Sequence, residues 1–334
     1  MGRIICAALA LIILLGALAG CGIDEPPTDR RQYASYREIP NVTEGEIRAI
    51  EALKERAEYF TYGMLPSTEL FRDSQKGKVN GFAALFCEWL SGLFEFEFRP
   101  VFHEWGELVA GLGTGEIDFS GELTPTEERR NPTDPSRKPY YMTDPIAVRL
   151  VRSFRIRNSK PLEEIAASRP IRLMFLAGSS TIGDVTSLLQ GEYEVILIND
   201  YESAYEMLKG GEGDAFIAEG NVEDAFDVYD DIVATDFLPA IYSPVSMTTL
   251  NPDLMPVISV VQKALDDGAI HHVTELFREG YDEYLVHKFF TRLSDVEQEY
   301  IKAHPTVRFA ADGSFQIKRY ADAANAYAWQ KGLN

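Results

Sequence analysis

From residue 59 onward, short apolar segments alternate along the chain with segments whose apolar residues recur every three or four positions. The first pattern predicts strands and the second predicts amphipathic helices. Strands are predicted at 60–63, 94–101, 117–119, 171–176, 193–199, 214–218 and 232–237, and helices at 81–94, 105–112, 181–190 and 202–209. Because strands separated by helices of this length pair in parallel, the pattern predicts an α/β topology.

The same pattern extends on both sides of this region. After residue 242 it changes to one last strand and two helices, at 253–267 and 270–281. Before residue 59 a helix is predicted over 43–58, because Thr43 and Glu46 have the spacing of a capping box. Parallel sheets bind ligands outside the carboxyl ends of their strands. Two such units side by side bring their crevices face to face, which predicts a binding cleft with a hinge.

The first twenty residues have the pattern of a secretory signal peptide. Arg3 precedes an apolar run over 4–19, which is shorter than the ~20 residues that a membrane-spanning helix needs. The motif Leu18-Ala-Gly-Cys21 looks like the lipobox of bacterial lipoproteins, which implies cleavage at residue 20 and lipidation of Cys21. An uncleaved N-terminal anchor is the alternative. Residues 21–42 are polar and predict a tether.

Composition narrows the class of protein. The 334 residues include 32 Lys and Arg against 52 Asp and Glu, a net charge of −20. This excess of negative charge excludes electrostatic binding to nucleic acid or to an anionic membrane surface. Three cysteines cannot make a disulfide framework. Cys87 lies in an apolar run, so a buried position in the core is expected.

Three strand ends carry polar groups that suit a small charged ligand. Ser180 and Thr181 open a helix after a strand, where free backbone N–H groups and hydroxyls bind anions. Arg129 follows Thr124 and offers a planar, two-pronged donor to a carboxylate. Glu219 ends a strand and suits an ammonium group. The structural alternatives are a plain helix cap, a surface arginine paired with neighbouring glutamates, and a solvated acid.

Signatures of enzymes are missing from the sequence. It contains no Gly-x-Ser-x-Gly motif and no His/Cys pair with the spacing of a zinc site. The five histidines are expected to be structural. The sequence therefore predicts no catalytic residue, no metal site and no cofactor.

Taken in order, these motifs resemble the type II bacterial solute-binding proteins of the amino-acid-binding family. The resemblance runs from about 59 to 290 and rests on Phe60-Thr-Tyr-Gly63, Gly77-Lys-Val-Asn-Gly81, Gly115-Glu-Ile-Asp118, Thr124-Pro-Thr-Glu-Glu-Arg129, Gly178-Ser-Ser-Thr181 and Asp214-Ala-Phe-Ile-Ala-Glu219. It implies an α/β fold of two lobes, each a mainly parallel sheet flanked by helices, with a cleft and a hinge between them. Lobe 1 is expected over 59–147 and 243–290, and lobe 2 over 148–242.

The resemblance also implies roles for the site residues. Arg129 falls at the position where the family has an arginine that binds the ligand α-carboxylate. Thr124 falls at the position of the hydroxyl residue that precedes this arginine. Ser180 and Thr181 fall at the start of the second-lobe helix. Glu219 falls where an acid holds the α-amino group.

Two departures concern the ligand. Thr68 and Glu69 stand where amino-acid binders carry a stacking aromatic residue, and Glu122 stands where many have Ser. The additional acid implies a cationic or amine-bearing ligand. Tyr62 and Trp105 are candidates for a replacement wall of the ligand site, although a place in the core is favoured for Trp105, and Thr68 is a further candidate ligand-binding residue.

The segments 81–90 and 122–129 look like sensory versions of this domain, which precede diguanylate cyclases and histidine kinases. The tail at 291–334 resembles the start of a truncated second domain. The sequence thus predicts a lipid-anchored extracytoplasmic protein that binds a small amino-acid-like or amine-bearing solute. Its partner is expected to be an ABC permease or a sensor kinase or diguanylate cyclase. The alternatives are a truncated sensor fragment without ligand and a small-carboxylate dehydratase that uses Glu219 or Glu122 as acid.

Overall fold

The computed structural model describes residues 33–73, 77–237 and 239–304. The predicted signal peptide, the lipidation at Cys21 and most of the predicted tail lie outside these residues. Within them, no helix combines the length and the apolar character needed to cross a membrane.

The strands and helices alternate along the chain as the sequence pattern predicts. The strands are β1 Tyr59–Met64, β2 Phe71–Arg72, β3 Val79–Asn80, β4 Glu97–Phe102, β5 Phe119–Leu123, β6 Tyr141–Met142, β7 Ala147–Ile156, β8 Ile171–Leu176, β9 Tyr193–Ile198, β10 Ala215–Glu219, β11 Ile232–Asp236 and β12 Tyr242–Thr249. The helices are α1 Glu44–Arg56, α2 Phe82–Phe94, α3 Trp105–Thr114, α4 Glu127–Arg130, α5 Leu162–Ala166, α6 Thr181–Thr186, α7 Tyr201–Lys209, α8 Glu223–Phe226, α9 Met255–Ala264, α10 Ile270–Thr291 and α11 Asp295–Ala303.

One 10-stranded sheet contains two parts, and the strands within each part are parallel to one another. The order is β4-β1-β5-β12-β7-β10-β8-β9, with β6 beside β12 and β11 beside β7. Strands β4, β1 and β5 are parallel to one another, and so are β10, β8 and β9. Strands β7 and β12 form an antiparallel pair between the two parts, in which β12 is antiparallel to β5 of the first part and β7 is antiparallel to β10 of the second. The two parallel parts are the sheets of lobe 1 and lobe 2, and the antiparallel pair is the hinge, so the predicted fold class is confirmed.

Helix α1 and the residues before it pack on lobe 1. The helix begins after Thr43, whose capping box with Glu46 is present. Tyr36 and Ile39 are buried in the lobe 1 core, and the Tyr36 ring stacks on Phe94 with 5.6 Å between ring centroids. Residues 33–42, at the end of the predicted tether, are therefore part of the folded body in this structure.

The buried apolar residues form clusters that also connect the lobes. The lobe 1 cluster includes Cys87, which is buried as expected, and burial raises the pKa of its thiol. A second cluster contains Leu65 and Trp105 from lobe 1 together with Leu176 and Tyr201 from lobe 2. The two lobes are therefore in apolar contact next to the cleft.

Helix α10 contacts both lobes. In its middle, Gly280 lies so close to the backbone of Phe82 in α2 that a Cβ atom would clash. At its end, Tyr284 Oη donates to Asp227 in lobe 2 at 2.6 Å, and Lys288 Nζ lies 2.6 Å from Glu223 and 3.0 Å from Asp227. We call Tyr284, Lys288, Glu223 and Asp227 the clasp.

Candidate functional site

A cavity lies between the lobes at the carboxyl ends of β1, β5, β8 and β10, where sheets of this topology bind ligands. Its space is about 380 Å³ including the open mouth. Apolar and polar side chains of both lobes line it: Leu65, Trp105, Glu122, Thr124, Arg129, Arg149, Leu176, Ser179, Ser180, Tyr201, Glu219, Asn221 and Val222.

Arg129 is a half-buried cation at the lobe 1 side of this cavity. It lies in the short helix α4, which the Thr126 hydroxyl caps by accepting from the Arg129 backbone N–H at 3.2 Å. The guanidinium donates to the Thr124 carbonyl at 2.8 Å and, across the cleft, to the Gly178 carbonyl at 3.4 Å. Burial lowers the pKa of Arg129, against the opposing charges of neighbouring groups. It forms no ion pair with a carboxylate of the described residues, so the cavity holds a cation that lacks an anionic partner.

Hydroxyl groups of lobe 2 and of the hinge hold Glu219 in place on the opposite side of the cavity. Glu219 Oε1 accepts from Thr181 Oγ1 at 2.6 Å and from Ser243 Oγ at 3.2 Å. Ser180 Oγ donates to Thr124 Oγ1 at 3.0 Å across the cleft. Glu219 Oε2 accepts no hydrogen bond from the part of the chain that the structure describes. One carboxylate oxygen is therefore held in place while the other remains available to a ligand.

Asn221 adds a buried acceptor without a donor that sequence reasoning did not identify. The side chain lines the cavity and is 7% exposed, and its Oδ1 atom has no hydrogen-bond partner among the described residues. A buried amide oxygen without a donor costs free energy, which a donor on a ligand would recover. Its position two residues after the strand-end acid Glu219 is the sequence signal that could have identified it.

A buried ion-pair network closes one end of the cavity. Arg149 donates from Nε and Nη2 to both oxygens of Glu69 at 2.8 and 2.7 Å, and from Nη1 to Glu122 Oε2 at 2.7 Å. The three side chains are 4–5% exposed. Leu65 N donates to the other oxygen of Glu122 at 3.0 Å. We call Arg149, Glu69 and Glu122 the buried triad.

The charges in the buried triad stabilise one another. Burial raises the pKa of Glu122, and the charge of Arg149 opposes that rise. Burial alone would lower the pKa of Arg149, but the negative charges of Glu122 and Glu69 raise it well above its usual range. Arg149 is therefore a permanent cation. Sequence reasoning missed it, although β7 places it on the same face as the buried Ala147 and Val151.

The structure brings most of the predicted site residues together. Arg129, Thr124, Glu122, Ser180 and Glu219 all line the cavity. Thr181 is buried behind the lining and contacts Glu219. Their roles in binding a ligand remain predictions.

Other predicted site residues lie elsewhere or are already paired. Tyr62 is buried in the lobe 1 core, 5.8 Å from the Phe86 ring, and provides no wall to the cavity. Thr68 is buried outside the lining, and its backbone N–H donates to the Asn221 carbonyl at 2.8 Å. Trp105, expected in the core, belongs to a buried apolar cluster and also lines the cavity. Glu122, which was expected to bind an amine on the ligand, already forms an ion pair with Arg149.

Comparison with known proteins identifies distant relatives. No family model matches the chain. A glutamine-binding protein of Geobacillus stearothermophilus is 26% identical over 221 residues, which cover 63% of this chain and 79% of the relative.

Solved structures show the same fold. One is AbpA of Streptococcus pneumoniae, an amino acid ABC transporter substrate-binding protein bound to L-arginine, with a TM-score of 0.52, 14% identity and coverage of 70% of this chain and 98% of that one. A mutant of ArgBP from T. maritima gives a TM-score of 0.50, 20% identity and coverage of 69% and 99%. The resemblance inferred from the sequence motifs is thereby confirmed, and the chain is a two-lobed protein of the type II periplasmic-binding fold, related to amino-acid-binding proteins.

Proposed function

We propose that this chain is an extracytoplasmic binding protein that captures a small amino-acid-like solute and closes its lobes around it. One observation carries the proposal. A single cavity presents the unpaired guanidinium of Arg129 together with the free acceptors of Glu219 and Asn221. Those two features match the two charged ends of a zwitterion.

The guanidinium end suits a carboxylate. A guanidinium binds a carboxylate through two parallel N–H donors, and such charge-assisted bonds are stronger than neutral ones. The contact from Arg129 to the Gly178 carbonyl, at 3.4 Å, is long and is easily exchanged for a carboxylate oxygen. Because Arg129 is half-buried, the exchange also compensates the cost of holding an unpaired cation away from water.

The acceptor end suits an ammonium group. Glu219 Oε2 supplies the counter-charge, and Asn221 Oδ1 supplies a second acceptor for the three N–H donors of an ammonium. The hydroxyls of Thr181 and Ser243 fix the carboxylate of Glu219 before the ligand arrives. A preorganised site of this kind loses less conformational entropy on binding.

The relatives support a role in transport. The glutamine-binding protein binds glutamine by its name, and AbpA is named as the substrate-binding protein of an amino acid ABC transporter. We therefore favour an ABC permease as the partner of this chain. A sensor kinase or diguanylate cyclase is the alternative partner, supported by the sequence resemblance to sensory domains. The lipobox-like motif ending at Cys21 supports attachment of the protein to the outer side of a membrane.

Calorimetry and thermal shift against a panel of amino acids and polyamines test the proposal. We expect at least one amino acid to bind, and Arg129→Ala to weaken that binding at least ~100-fold, because two charge-assisted hydrogen bonds contribute about 3 kcal/mol or more. Arg137→Ala removes the same charge from an exposed surface pair and is the matched control. The proposal fails if no solute in the panel binds. Unchanged affinity in Arg129→Ala would remove the carboxylate clamp.

A further inference from the structure

The two acids at the lobe 1 end of the cavity need a cation. Glu69 and Glu122 are both nearly inaccessible to solvent, and both come from segments of lobe 1. The backbone fixes Glu69, because its carbonyl accepts from Ala83 N at 2.9 Å and lies directly against Gly81, which has a φ of +104°. Neither acid can swing out to solvent, so two carboxylates in this position repel each other unless a positive charge lies between them.

Arg149 provides that positive charge from within the chain. It extends from the hinge strand β7 and binds Glu69 through both oxygens and Glu122 through one. The remaining oxygen of Glu122 is taken by the Leu65 backbone N–H. All four carboxylate oxygens of the two acids therefore have a donor before any ligand enters.

A cationic ligand side chain that reached this end would meet the guanidinium of Arg149 instead of a free carboxylate. Arg149 and Glu122 line the cavity, whereas Glu69 lies behind them. The like charges of Arg149 and the ligand would repel strongly at this depth, since little water is present to screen them. The buried triad has a net charge of −1, but each of its carboxylate oxygens already accepts a hydrogen bond from Arg149 or Leu65, so no oxygen without a donor is left for a cationic side chain.

We propose that Arg149 takes the place of a cationic ligand side chain, so that the site selects amino acids with small, uncharged side chains and rejects arginine and lysine. The inference rests on the proposed function and adds the substrate class to it. It replaces the expectation, drawn from Glu69 and Glu122 alone, of a cationic or amine-bearing ligand.

The first test compares ligands on the wild-type protein and does not depend on how a variant folds. Calorimetry with alanine, serine and glutamine should give affinities at least tenfold tighter than with arginine, lysine or putrescine. A preference for arginine or lysine would overturn the inference while leaving the proposed function intact.

The second test removes the internal cation. Arg149→Met retains much of the side-chain volume and leaves Glu69 and Glu122 without their cationic partner, so the ratio of arginine to alanine affinity should rise at least tenfold. The variant Arg149→Met/Glu69→Gln/Glu122→Gln removes all three charges and should show no such rise. An unchanged ratio in Arg149→Met would overturn the inference.

A third measurement separates the inference from amino-acid binding altogether. Millimolar methylguanidinium should raise the melting temperature of Arg149→Met and leave that of the wild type unchanged, because only the variant has a vacant guanidinium position. If the wild type binds no amino acid, the proposed function fails, and the methylguanidinium result alone decides whether Arg149 fills a cation site. No stabilisation of the variant would overturn that assignment.

Discussion

Trp105 offers a direct way to measure what holds the cleft closed. It is the first residue of α3 in lobe 1, and its Nε1–H donates to the Ala177 carbonyl of lobe 2 at 2.6 Å. The side chain is 9% exposed. Trp105→Phe retains an aromatic ring at this position and removes the N–H donor, so it tests one hydrogen bond between the lobes.

The expected loss falls on the closed state alone. When the lobes separate, water hydrates both the indole N–H and the carbonyl, so the substitution changes little in the open state. A hydrogen bond of this kind contributes about 0.5–1.5 kcal/mol net. Because about 1.4 kcal/mol corresponds to a factor of ten, ligand affinity should fall about two- to tenfold.

Titration calorimetry with whichever amino acid binds the wild type measures this change. Trp89→Phe is the matched control, because Trp89 lies on α2 in lobe 1 and its buried Nε1 has no hydrogen-bond partner among the described residues. Its affinity should equal that of the wild type. Equal affinities for Trp105→Phe and the wild type would refute the reasoning, and so would an equal loss in both variants.

Two further predictions concern stability and its pH dependence. Although burial opposes it, hydrogen bonds from Lys263, Thr43 and Ser259 lower the pKa of Glu46 from 4.5 to about 2. Glu46→Gln should therefore lower the free energy of unfolding, measured with urea at pH 7, by about 2 kcal/mol after allowance for solvent screening. The difference between the wild type and the variant should shrink as the pH falls from 4.5 towards 2. A difference that stays constant with pH would contradict the ionic origin of this stabilisation. Burial and the charge of Asp227 raise the pKa of Asp224 from 3.8 to about 6. Asp224→Asn should therefore stabilise the protein by about 2 kcal/mol above pH 7, with the gain vanishing below about pH 4, and destabilisation at high pH would contradict it.

The sequence predicted those parts of the site that lie where strands end. Thr124 follows β5 directly, Glu219 is the last residue of β10, and Arg129 and Ser180 lie in the connections after β5 and β8. Parallel topology brings such positions to one edge of a sheet. Tyr62, a candidate for the wall of the ligand site, lies in the core instead, which was missed because the predicted strand at 60–63 did not show which of its faces packs inward. Tyr62 shares a face of the strand with Phe60 and Met64, and that face packs into the lobe 1 core.

The buried triad could not be predicted from local patterns. Arg149 is separated by 80 residues from Glu69 and by 27 from Glu122, so no sequence window contains all three. Each residue alone looks like an ordinary surface charge. Only the tertiary fold brings them into a dry space in which each charge requires the others.

The clasp couples the proposed closure of the lobes to a part of the protein far from the ligand site. Helix α10 is fixed to lobe 1 where Gly280 packs on Phe82, and its last turns are held to lobe 2 by Asp227. Arg292, just after the helix, also pairs with Asp227, and α11 folds back through Gln298 onto the Phe290 carbonyl. Opening of the lobes must either break the clasp or tilt the end of α10. Closure of the lobes on a solute, as proposed above, would therefore also reorient helix α11, which follows the clasp in the chain.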